Sequence, residues 1–345
     1  MKIFFLFSWI LDLFQWTPFN LNPVEGFFQG LIGACGISVL YNLMRIYYFI
    51  QSCSDSDRGS KRTSSKTRNP LRRKWRASLQ FWCLTTLLSL VGLRVSSLIV
   101  LEFLLRAAFA CMSTAQDSGV RGLDFLLIQS QFSLGCSLTC VLAFLHQGAP
   151  HSSLGLCLAA ALSWAVASYS SSLWAHVARL YPLHSKQQYC GKCISLLTSG
   201  HTMLASLQRL VILTFAVAAV ASTSVVYEHF LSHKDAMKFW TPLTLCYTML
   251  VVYNQEEQHR LTVSETLLRT VVVRLGGLLV LMLAVGTWSD VLHVLVSFIG
   301  EGVCLLSSED LLQAALKEEH ETSFSKEERR FSPSTKTGKF LLDDS

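Results

Sequence analysis

QSCSDSDRGSKRTSSKTRNPLRRKWR, residues 51–76, decides how the rest of the chain is read. It carries nine Lys or Arg against two Asp and almost no apolar side chain. A long apolar run lies on each side of it. Loops dense in Lys and Arg resist translocation and stay on the cytoplasmic face of a membrane. The stretch therefore predicts a membrane span on each side and sets the face from which every later segment enters.

The bulk numbers agree. Of 345 residues, 51% are hydrophobic and 15% charged, where soluble domains carry about 25%. The net charge of +6 is concentrated in the basic loop. No basic face exists elsewhere, so no nucleic-acid partner is expected. The chain has eleven Cys. Most lie in apolar runs, including Cys35, Cys83, Cys136, Cys140, Cys157 and Cys246, where a thiol packs as a small hydrophobe. The odd count argues against a disulfide framework.

Apolar runs of helical length place spans at 27–50, 79–101, 123–145, 154–175 and 204–226. A helix of 24 residues reaches about 36 Å, enough to cross with tilt. The run at 239–253 is short and bracketed by Trp240 and Tyr253, so it is a weak span or a re-entrant segment. The run at 267–306 is too long for one helix. A break at Gly286 followed by Ser289 and Asp290 as caps predicts two. The expected fold is an all-α, polytopic helical membrane protein with seven or eight spans, because no stretch alternates as a membrane strand must. Eight spans would leave the C-terminus outside, and seven inside. Residues 1–26 read as an interfacial segment and 27–311 as the transmembrane domain. Residues 312–345 form a charged tail that is expected to be disordered.

Polar residues inside apolar runs are the candidates for function. Arg94, Glu102 and Arg106 share one broad side of a helix, with Glu102 and Arg106 spaced to pair at i,i+4. Cys190 and Cys193, with His184 and His201 nearby, have the ligand types for zinc. Their spacing fits no standard finger, so no metal and no cofactor is expected. Arg58, Lys61, Arg62, Arg72, Arg73 and Lys74 would attract anionic lipid, each worth about 1 kcal/mol near the surface. RRFSP presents Ser332 as a phosphorylation candidate, relevant if the tail is cytoplasmic.

Four strings carry a resemblance: QGLIGACGISVLYNL (29–43), QFSLGCSLTC (131–140), LYPLHSKQQYCGKC (180–193) and FWTPLTLCYTMLVVYNQEEQ (239–258). They resemble the transmembrane protein 82 family over roughly residues 28–312. The resemblance implies a multi-pass integral membrane protein and carries over no catalytic or binding residue. Metalloprotease, serine-hydrolase and P-loop motifs are missing, so an enzyme is not expected. Few ionisable residues stand out in the apolar runs, which favours a non-catalytic membrane scaffold or interaction protein. The alternative is a transporter or channel-like protein with a polar site around Arg94.

Overall fold

The computed structural model describes residues 23–56, 70–116, 126–147, 152–187, 190–230, 263–285, 288–311 and 314. The run before residue 23, the heart of the basic loop, the expected weak span 239–253 and the tail with Ser332 lie outside the described residues. All elements among the described residues are helices: α1 (Pro23–Ser56), α2 (Pro70–Gln116), α3 (Gln131–His146), α4 (Ser152–Gln187), α5 (Gly191–Phe230), α6 (Val263–Val285) and α7 (Trp288–Ser307). The expected break in the last long apolar run falls between α6 and α7.

Five helices are long and apolar enough to cross a membrane: Val24–Cys53, Trp75–Ala108, Ser153–Tyr181, Thr202–Val226 and Trp288–Ser307. Gln131–His146 and Val271–Val280 are shorter apolar helices. α1 starts with Pro23 at its first position and Glu25 in its first turn, both suited to a helix N-terminus. It packs against α2, α3 and α4. Gly30 permits the closest backbone approach among these contacts. A Cβ placed there would sit 2.6 Å from the Thr85 carbonyl oxygen and 2.8 Å from the Ser89 nitrogen.

The single span expected at 79–101 is corrected. Gly92 interrupts α2 with φ 72° and ψ 158°, a region that essentially only glycine occupies. The partners on α7 show what the break does. Before it, Gln80 Nε2 donates to Ser307 Oγ at 2.6 Å, and the Val91 carbonyl meets His293 Nδ1 at 2.8 Å. After it, Arg94 pairs with Asp290, and Glu102 shares Arg274 with Glu301. The contacts climb α7 from 307 to 290 and then descend to 301. α2 therefore folds back on itself at Gly92. Its two apolar legs, 75–91 and 93–108, are each about 25 Å long.

The remaining helices take their direction from α1, whose C-terminal end leads into the basic loop. Ile46 clusters with Val177, Tyr181 and Cys193, and Ile32 with Leu156 and Ala160. α4 thus runs parallel to α1, and α5 starts at the loop end. Asn42 Nδ2 donates to Ser170 Oγ at 3.2 Å in the buried seam between α1 and α4. Arg45, placed by sequence near the inner end of the first span, lies over the Trp174 ring at 4.2 Å. α3 begins at the loop end, where Gln131 Nε2 donates to Ser308 Oγ at 2.6 Å. Leu142, near its other end, packs on the Ile32 cluster.

Gly92→Ala should destabilise the fold, because the backbone there costs any L side chain about 1–3 kcal/mol. Gly30→Ala should do the same by forcing two backbones apart, at a similar ~1–3 kcal/mol. Gly276→Ala, whose new Cβ would meet nothing within 4 Å, should leave the fold intact. Thermal midpoints of the three variants in detergent check this. Equal midpoints for all three would contradict the packing described.

Candidate functional site

The second leg of α2 carries all three polar residues singled out in its apolar run. Each finds a different partner. Glu102 Oε2 lies 3.2 Å from Arg274 Nε, and Arg274 Nη2 lies 2.7 Å from Glu301 Oε1. The side chains of Glu102, Arg274 and Glu301 are 0%, 4% and 3% exposed. One guanidinium on α6 therefore clamps two carboxylates, one on α2 and one on α7. Arg106 Nη1 donates to Gln129 Oε1 at 2.9 Å, and its guanidinium lies over the Phe103 ring at 5.1 Å. The expected pairing of Glu102 with Arg106 gives way to Arg274, which reaches Glu102 from the facing helix.

Arg94 sits one turn of the fold away. Its Nη1 is 3.4 Å from Asp290 Oδ2, with the Arg94 side chain about a third exposed. His293, one turn along from Ser289, touches that hydroxyl at 3.2 Å through Nε2 and the Val91 carbonyl through Nδ1. The far end of the Gly92 hairpin is thus held by α7, and the lower part by α6 and α7 together.

The cluster of Glu102, Arg106, Arg274 and Glu301 sums to zero formal charge, yet it is not saturated. Among the described residues, Glu102 Oε1, Glu301 Oε2, Arg274 Nη1, and Arg106 Nε and Nη2 are buried without a hydrogen-bond partner. Buried polar atoms are nearly always satisfied by protein or by ordered water. These atoms keep unused donors and acceptors among the charges.

Arg274 and Glu301 escaped the reading of the sequence. Both stand alone in apolar runs, which is itself the signal that could have found them. Asp290 was read as a helix cap and proves to be the partner of Arg94.

A second constellation lies at the loop end of the bundle. Cys190 precedes the first turn of α5 and Cys193 lies within it. Both Sγ atoms approach His176 Nε2 on α4, at 3.4 Å and 3.5 Å. The three ligand atoms lie within 4.8 Å of one another. His184 and His201, the histidines suggested by spacing, lie on α4 and α5, and their side chains are outside the described residues. Backbone N–H groups of Cys193 and then Lys192 hold the Cys190 thiol below its ordinary range. Burial pushes the Cys193 thiol up to about 11. Of the lipid-binding candidates, Arg58, Lys61 and Arg62 lie outside the described residues. Arg72, Arg73 and Lys74 sit in the first turns of α2, with side chains likewise outside them.

A family model described as Transmembrane protein 82 matches residues 24–326. The chain belongs to that family. The transmembrane protein 82 region contains every helix described above except the first residue of α1, so the charge cluster and the thiol pair both fall within it. The family name and the apolar helices make this a membrane protein. No solved structure matches the chain.

Alkylation follows the thiolate fraction. With a chelator present, Cys190 should react with iodoacetamide first, at a pH below the ordinary thiol range. Cys193 should react only as the pH approaches 11. Mass spectrometry of the peptide across pH reads the order, and equal rates at neutral pH would contradict it.

Proposed function

We propose that the chain is a non-enzymatic membrane protein that passes a small ion or polar solute, with Glu102, Arg106, Arg274 and Glu301 as its working centre. One observation carries this reading: Glu102, Arg274 and Glu301, buried to within a few percent of complete exclusion, keep spare donors and acceptors. A purely structural lock in lipid gains most when every polar atom is paired. Spare valences in such a place suit exchangeable water or solute. A helix broken at Gly92 beside the cluster is a further feature common to transport proteins. The preference for a scaffold rested on few buried charges, and six now stand in or beside the core. The scaffold reading keeps one observation in its favour. α4 carries a stripe of exposed Leu154, Leu158, Leu162 and Val166, a face open to lipid or to a partner helix.

In the threading that fits this centre, six of the described helices cross. α2 enters and leaves on the side of the basic loop as a hairpin. α1, α3, α4, α5, α6 and α7 each cross. Gln80 meeting Ser307 supports placing the end of α7 at the face of the basic loop, since Gln80 lies just past that loop. The tail then emerges in the cytoplasm, where Ser332 is open to kinases. The basic loop, with Arg58, Lys61, Arg62, Arg72, Arg73 and Lys74, lies against the anionic inner leaflet.

Purified chain in vesicles should raise the flux of H+, K+ or Cl− above that of protein-free vesicles. The triple variant E102Q/R274M/E301Q, inserted at the same level, should lose that flux at least tenfold. Flux equal to protein-free vesicles for all three ions would count against a path through the cluster. A glycan acceptor engineered beside Ser332 should stay unmodified, and its modification would overturn the threading.

A further inference from the structure

We propose that Cys190, Cys193 and His176 hold a Zn(II) ion at the loop end of the bundle, tying the end of α4 to the start of α5. Tetrahedral zinc with Zn–S of about 2.3 Å and Zn–N of about 2.1 Å places sulfur and nitrogen ligands roughly 3.6 Å apart. The two Sγ–Nε2 separations of 3.4 Å and 3.5 Å are already within about 0.2 Å of that spacing. With all three ligand atoms within 4.8 Å of one another, small side-chain rotations would close them on an ion.

The donor set suits the metal. Two sulfurs and one imidazole nitrogen are borderline-soft ligands of the kind zinc prefers, and an alkaline-earth ion would be poorly served by them. The two Cys stand three residues apart at the entry to α5, so both sulfurs fall on one side of its first turn. His176 reaches them from α4, where Val177 and Tyr181 bury the other side of the site against Cys193 and Ile46. Cys193 is buried, and Cys190 and His176 are partly exposed. Three protein ligands leave a fourth position for water or a thiol from outside the chain.

Compartment supports reduced ligands. The site packs against the last turns of α1 before the basic loop, and so it lies in the cytoplasm on the threading proposed above, where thiols persist. The zinc reading stands apart from the charge cluster and survives its failure, because it needs only these three side chains and a reducing face.

The full chain, purified in detergent with reductant, is exposed to Zn(II), passed into metal-free buffer and assayed for zinc. It should retain about one zinc per chain. C190S/C193S should retain less than a tenth of that, H176A should bind at least tenfold more weakly, and C157S, which removes an exposed thiol elsewhere on α4, should retain the full amount. Cobalt loaded in place of zinc should give the thiolate-to-cobalt absorption in the wild-type chain, a readout that does not depend on any variant folding. Wild-type chain without stoichiometric zinc or without that absorption would overturn the proposal. So would full zinc retention by C190S/C193S, or a Cys190–Cys193 disulfide in chain whose thiols were blocked at lysis.

Discussion

Arg274 between Glu102 and Glu301 is the contact on which the core arrangement depends. Hydrophobic burial cannot choose partners for these helices, because lipid tails are as apolar as the side chains that face them. A charge excluded from water does choose. Leaving Glu102 or Glu301 unpaired in this interior would cost far more than any single apolar contact returns. One guanidinium on α6 therefore selects which faces of α2 and α7 turn inward. The aromatic stack of Phe103 on Phe215, with centroids 4.6 Å apart, then packs α5 against the same leg of α2.

That clamp needs the chain to reverse at Gly92. Without the left-handed backbone there, Glu102 would lie far beyond the end of α7 instead of beside Glu301. The hairpin and the cluster are thus one device: glycine supplies the turn, and the ion pairs hold the second leg down. Contacts ahead of the reversal set which end of α7 meets the basic loop. Gln80 and Tyr41, the latter donating to the Ser307 carbonyl at 2.8 Å, both receive the end of α7 at that face.

Much of this was legible in the residues. The basic stretch 51–76, the long apolar runs and the lack of alternation led to a helical membrane protein. Four long strings led to its family. Arg94, Glu102 and Arg106 were visible as charges in an oily run. Their partners were not, because pairing across 172 residues, from Glu102 to Arg274, leaves no local pattern. The fold-back at Gly92 was hidden for a related reason: an apolar run continues unbroken through it, and one glycine reads equally as a packing site. Cys190 and Cys193 were found by spacing, but His176 lies a helix away and meets them only once α4 and α5 turn back on each other.

The stability of Arg274 variants tests the clamp most directly. Removing one partner of a buried ion pair costs about 3–5 kcal/mol, whereas replacing all partners with neutral groups of similar size costs little. Arg274→Met alone should therefore lower the thermal midpoint in detergent steeply, and adding Glu102→Gln with Glu301→Gln should recover most of the loss. A single variant as stable as the wild-type chain, or a triple variant no better than the single, would contradict the account.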